Sequence, residues 1–160
     1  MNKDKKRIFL DMDGVLADFD RAVRELPEDI FNEYAHKHDE IPGFFKTFKS
    51  IPGSENAVWT LNEHFDLFIL STPSWGNASS LGDKIEWIKN LYGGEQGSPF
   101  YKKVVLTHRK DLLIGDYLVD DRPVNGAKYF TGEFIHFGSE GFETWNEVLL
   151  YIINKEGIML

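Results

Sequence analysis

Residues 8–18 read Ile8-Phe9-Leu10-Asp11-Met12-Asp13-Gly14-Val15-Leu16-Ala17-Asp18, an apolar run that closes on two carboxylates and a glycine. Along a strand, residues i and i+2 project to the same side, so Asp11 and Asp13 converge just beyond the strand end. Gly14 then frees the backbone to turn away. Two converging carboxylates repel each other, and an oxygen-ligated cation such as Mg²⁺ relieves that repulsion. The same letters also spell ordinary turn chemistry, with Asp-Gly as punctuation and Asp18 as a helix cap.

The pattern recurs at Tyr117–Pro123, "YLVDDRP", where an apolar strand again ends in paired acids, Asp120 and Asp121. In a parallel sheet both strands deliver their carboxylates to one edge. Arg122 offers a surface ion pair, but such pairs contribute only about 0–1 kcal/mol and give little reason for a doubled acid. Another apolar run, Leu67–Leu70, ends in Ser71 and Thr72. Their hydroxyls suit phosphate oxygens, or simply the turn before Pro73. Lys110 follows a third apolar run, where a surface lysine is the default reading.

Five short apolar runs predict buried strands: Arg7–Met12, Asp66–Ser71, Lys103–Leu106, Asp116–Val119 and Glu133–Phe137. Helix-length segments at Glu55–His64, Ala78–Leu91 and Glu143–Asn154 lie among them. This alternation predicts an α/β fold, a Rossmann-like parallel sheet with helices on both faces. Residues 18–51 interrupt it and are too long for a plain connection. They read as a small helical cap inserted over the strand's carboxyl end, where open parallel sheets bind ligands. At 160 residues, the chain is expected to form one domain, 1–160.

A formal net charge of −8 disfavours a nucleic-acid polymer, which needs Lys/Arg to displace counterions. A small phosphorylated ligand is compatible with it, given a cation and one or two local bases. No apolar stretch approaches the roughly 20 residues of a membrane span. The basic start from Lys3 to Arg7, interrupted by Asp4, lacks the apolar run of a secretory signal. With no cysteine, thiolate sites and disulfides are excluded, and a cytoplasmic protein is expected. The five histidines show no metal-ligand spacing, and His36 and His38 read as solvated.

Taken in order, Asp11-Met12-Asp13-Gly14-Val15, a strand ending in Ser71-Thr72, then Lys110, then Asp120-Asp121 resemble the haloacid dehalogenase-like (HAD) superfamily. "DMDGVLADF" (11–19), "PGFF" (42–45), "IPG" (51–53), "FILSTP" (68–73), "VVLTHRK" (104–110) and "LVDDRP" (118–123) are similar to the 5′(3′)-deoxyribonucleotidase family. That resemblance implies a nucleoside monophosphate substrate and an aspartyl-phosphate formed on Asp11. Asp13 would be the general acid and base, and Ser71, Thr72 and Lys110 would bind the phosphoryl oxygens. Mg²⁺ would be held by Asp11, the backbone carbonyl of Asp13 and Asp121, with Asp120 hydrogen-bonding a water of its shell.

The same resemblance nominates Phe19, Phe44, Phe45 and Trp75 as base contacts, although rings of this kind are normally core. This chain departs from the family in three places. Its insertion is shorter than the vertebrate cap and lacks a Gly-Phe-Trp segment, its hydroxyl pair is ordered Ser-Thr, and His108 stands where relatives carry Arg. A sugar-phosphate phosphatase and a catalytically silent, metal-dependent binding domain are the alternatives on the same fold.

Overall fold

Strands β1 (Arg7–Leu10), β2 (Asp66–Ser71), β3 (Val104–Leu106), β4 (Tyr117–Asp120) and β5 (Glu133–His136) form one sheet, parallel throughout, in the order β3-β2-β1-β4-β5. They are seen in a computed structural model that describes residues 5–159. Lys3 and Asp4 of the basic start lie outside the described residues. β2 spans the expected residues, and the other four strands fall on their apolar runs with shifted ends. β1 stops at Leu10 rather than Met12 because the Met12 carbonyl accepts from Val15, Leu16 and Ala17 (3.3, 2.9 and 2.8 Å), which curls the chain at once. β4 runs one residue later than expected, since Asp120 pairs with His136 of β5.

Helices α1 (Phe19–Arg24), α2 (Glu28–Glu33), α3 (Ser54–His64), α4 (Ser79–Tyr92) and α5 (Trp145–Lys155) complete the element list, together with single-turn 3₁₀ helices. Ile8, Leu10, Leu67, Ile69, Tyr117 and Val119 pack with the apolar stripes of α3, α4 and α5 in the larger core. Phe9, Leu70 and Leu118, on the alternate side, pack with Ala127 and Phe130 in a smaller one. This second face is covered by the 3₁₀ turns at 110–112 and 127–129 instead of long helices. The segment joining β3 to β4 falls short of the dozen or so residues that a helical crossover takes, and the one joining β4 to β5 barely reaches it.

Residues 18–51 leave and re-enter the sheet region at one neck. Ala17 bridges Ser50, the Asp18 amide donates to the Lys49 carbonyl (2.8 Å), and Ile51 donates to Leu16 (2.8 Å). Within the loop, α1 and α2 bury no side chain. It is held instead by an aromatic cluster of Phe19, Phe44, Phe45 and Phe48, with ring centroids 4.9–6.4 Å apart. Asp18 does cap α1, accepting from the Arg21 amide at 3.0 Å. No helix among the described residues is long and apolar enough to cross a membrane.

Helix α5 fastens the turn after β1. A Thr144–Glu147 capping box starts it, and the Trp145 indole, buried in the core, donates to the Val15 carbonyl at 2.7 Å. Trp145→Phe removes that donor and strands a buried carbonyl, so urea unfolding is expected to show a loss of about 1–3 kcal/mol.

Candidate active site

The register places the acids. Leu10 pairs with Ile69 on one side and Val119 on the other, so Asp11 and Asp120 emerge side by side at the carboxyl edge. Ser71 ends the neighbouring strand β2. The Asp11 amide donates to the Val119 carbonyl at 2.9 Å, which keeps the chain in register through that residue. Carboxylate oxygens of Asp11, Asp120 and Asp121 all lie within 4.8 Å of one another and could hold a metal ion. This oxygen-only set suits a hard divalent cation. Asp121 Oδ1 is buried and accepts no hydrogen bond among the described residues, an orphaned ligand of the kind a cation satisfies. Its nearest cation, Arg122 Nε, stands 3.8 Å away.

Gly14 makes room for this cluster. Its φ is +76°, and a β-carbon there would sit 2.3 Å from Asp121 Oδ2. The glycine after the acidic pair is therefore required both by backbone conformation and by close approach.

Two buried lysines balance the acids. Lys110 Nζ lies 2.5 Å from Asp120 Oδ2 and 3.1 Å from Asp11 Oδ1, the latter an ion pair by distance that is not aligned as a hydrogen bond. Burial works against the Lys110 charge, but Asp11 and Asp120 outweigh it and raise its pKa. Asp120 Oδ1 also accepts from the Arg122 amide at 3.0 Å. Lys84 of α4 is fully buried, with Nζ 2.5 Å from Asp13 Oδ2 and 3.1 Å from Ser71 Oγ. Burial pushes the Asp13 carboxyl up; Lys84 opposes that shift and Asp11 adds to it.

A cavity of about 640 Å³ opens beside these groups, within the range of small-ligand sites. Asp13, Gly14, Thr72, Ser74 and Asp121 line it together with Phe19, Phe45, Trp75, His36, His38 and His108. The Thr72 and Ser74 hydroxyls are buried and make no hydrogen bond among the described residues.

Of the four aromatic candidates, Phe19, Phe45 and Trp75 line this cavity. Trp75 is 91% exposed and meets His108 edge-on at 5.7 Å. Phe44 is not among the lining residues; it is 5% exposed and packed against Phe19 and Phe48 in the aromatic cluster. His36 is exposed as expected, whereas His38 is half-buried against Phe31 with ring centroids 4.7 Å apart.

The family described as "5′ nucleotidase, deoxy (Pyrimidine), cytosolic type C protein" matches residues 27–148. A provisionally named 5′(3′)-deoxyribonucleotidase of Vibrio phage KVP40 is 41% identical over 152 residues, 95% of this chain and 87% of the phage protein. The chain belongs to the deoxyribonucleotidase family. The human cytosolic-type 5′(3′)-deoxyribonucleotidase is 30% identical over 146 residues, covering 72% of this chain and 70% of its own. The fold is also that of a HAD-hydrolase assignment, YfnB from Bacillus subtilis, described as bound to magnesium. It superposes with a TM-score of 0.51 at 12% identity, over 84% of this chain and 87% of that one. The deoxyribonucleotidases are phosphoric monoester hydrolases, and the chain is an enzyme of that class.

Lys84 lies outside the sequence motifs of the family. The signal was available: Ser80, Lys84, Trp87 and Ile88 fall on one helical stripe, which places a lysine on a face that packs inward.

Burial, and then the Asp11 charge, push Asp120 up to about 7 and Asp121 up to about 6 from an ordinary 3.8. Raised carboxyl values favour the folded state fully below about pH 4, and that share is lost as pH climbs through 6 and 7. The metal-free protein is therefore expected to melt at lower temperature at about pH 8 than at about pH 5, with a flatter slope in Asp121→Asn. A saturating divalent cation should restore most of the loss at the higher pH, because it takes over the charge that the proton neutralised.

Proposed function

We propose that this chain is a Mg²⁺-dependent phosphatase of nucleoside monophosphates, a 5′(3′)-deoxyribonucleotidase acting through an aspartyl-phosphate on Asp11. The observation that carries the reading is the juxtaposition at the end of β1. A buried Asp11 meets Lys110, which it shares with Asp120, and clusters with Asp120 and Asp121 in a set suited to a cation, beside a cavity of ligand size.

Asp11 and Asp121, with the Asp13 carbonyl, are the groups that would hold Mg²⁺, and Asp120 would support the site from beside them. When bound, the ion supplies positive charge that offsets carboxylate–phosphate repulsion and the charge of the transferring group. Asp11 attacks phosphorus as the ester oxygen departs, which divides one difficult hydrolysis into two displacements. Asp13 gives its proton to the departing oxygen and later takes one from the water that cleaves the aspartyl-phosphate. Lys110 and the hydroxyls of Ser71 and Thr72 bind phosphoryl oxygens, Lys110 as a point charge.

Residues 18–51 act in this reading as the cap that shields the transfer from bulk water. Phe19 and Trp75 offer faces on which a base could stack; Phe45, 2% exposed with the Lys84 ammonium over its ring, borders the cavity, and Phe44 packs against Phe19. The cytosolic name of the human relative supports a cytoplasmic site of action.

Phosphate release from deoxy- and ribonucleoside 5′- and 3′-monophosphates and from sugar phosphates is expected to be confined to nucleotides. It should be abolished by EDTA and reduced by about 10³-fold or more in Asp11→Asn. Preferential release from sugar phosphates would overturn the nucleotide assignment. A folded, cation-binding protein that released phosphate from none of them would overturn the enzymatic reading.

A further inference from the structure

We propose that Lys84 is the positioning residue of the reaction, pinning one oxygen of Asp13 so that the other faces the leaving group. The inference rests on the reading of Asp13 as proton donor, and it adds a residue outside the sequence motifs.

Lys84 has no exposed surface. Its ammonium meets three partners: Asp13 Oδ2 at 2.5 Å, Ser71 Oγ at 3.1 Å and the Phe45 ring, whose centroid is 4.3 Å away. Burying a charge here is unfavourable compared with the leucine or methionine that the inward stripe of α4 would accept. A lysine in such a place needs a reason beyond packing, and its three contacts supply one.

An ammonium donates and never accepts. Asp13 Oδ2 is therefore an acceptor, and a proton carried by this carboxyl resides on Oδ1. That second oxygen is buried and without a hydrogen-bond partner among the described residues, on a side chain that lines the cavity. The same logic fixes Ser71. Its Oγ accepts from Lys84, so its own hydrogen is directed elsewhere, free for a phosphoryl oxygen. One buried charge thus orients a proton donor and a phosphate ligand together. Phe45, in the 3₁₀ turn at 44–47 of the insertion, is the third contact that holds it.

The step balances as follows. A bond forms from an Asp11 oxygen to phosphorus while the ester P–O bond breaks, and the departing oxygen takes the proton from Asp13 Oδ1. Water then bonds phosphorus and returns a proton to Oδ1, releasing inorganic phosphate and the Asp11 carboxylate.

The test compares two substrates of the full chain with Mg²⁺: a deoxynucleoside 5′-monophosphate, whose alkoxide needs a proton, and p-nitrophenyl phosphate, whose nitrophenolate leaves without one. The parameter is kcat/KM, which reports the steps up to loss of the leaving group. Lys84→Met is expected to lower it by about 10²–10³-fold on the deoxynucleotide, and by at least about tenfold less on the nitrophenyl ester. Asp13→Asn should reproduce that split, and the double variant should add little to it, since both changes disable one unit.

Equal losses on the two substrates in a folded Lys84→Met protein, or no loss on either, would overturn the proposal alone. Should Lys84→Met fail to give a cooperative melting transition, Lys84→Leu, which fits the apolar stripe of α4 and carries no donor, is read in the same way. A wild-type protein inactive on both substrates would overturn the phosphatase reading and this inference with it.

Discussion

Like charges gathered at one edge of a sheet are the constraint around which this molecule is arranged. Carboxylate oxygens of Asp11, Asp120 and Asp121 crowd within 4.8 Å, and Asp13 stands two residues beyond Asp11. Without compensation such a cluster would protonate or unfold its surroundings. Lys110 is shared between Asp11 and Asp120, Lys84 is committed to Asp13, and Gly14 yields the volume that Asp121 occupies. Asp121 is left with a distant Arg122 and an unpartnered oxygen. The residual negative charge points to a divalent cation more directly than the identity of any single residue does.

These groups stay where they are because the sheet beneath them is rigid. β1 lies at the centre, hydrogen-bonded to β2 and β4, and Ile8 and Leu10 have no exposed surface. Close packing of this kind leaves little freedom for the strand end. The turn after it is fixed again by three amides on the Met12 carbonyl and by the Trp145 indole on Val15. Buried polar and charged groups at this edge weaken the fold locally. The larger core of α3, α4 and α5 on one face supplies the excess stability that tolerates them.

The insertion has the opposite character. Its short helices hold no fully buried side chain, and its anchorage is the neck at residues 16–18 and 49–51 together with the phenylalanine cluster, whose Phe44, Phe45 and Phe48 are buried in the larger core. A second tie joins it to α4, where Asn77 donates to the carbonyls of Asp39 and Ile41 (3.2 and 2.9 Å) and Ser79 accepts from the Gly43 amide. Helices α1 and α2, which hold no fully buried side chain, open more readily than the core. That difference suits the cap role proposed for the insertion.

Much of this was legible in the sequence. Apolar runs ending in Asp11, Ser71 and Asp120 declared parallel strands with chemistry at their carboxyl ends, because the pattern of burial and the two-residue side-chain period are local properties. The family followed from the same motifs in order. Other features were decided by tertiary structure alone. Which partner each acid takes depends on strand register and on α4 lying over the edge, so the sharing of Lys110 and the pairing of Lys84 with Asp13 were hidden. Phe44 and Phe45 are adjacent and chemically identical, yet one lines the cavity and the other supports it. Composition cannot separate them, since the distinction lies in how a single turn packs against a helix distant in sequence.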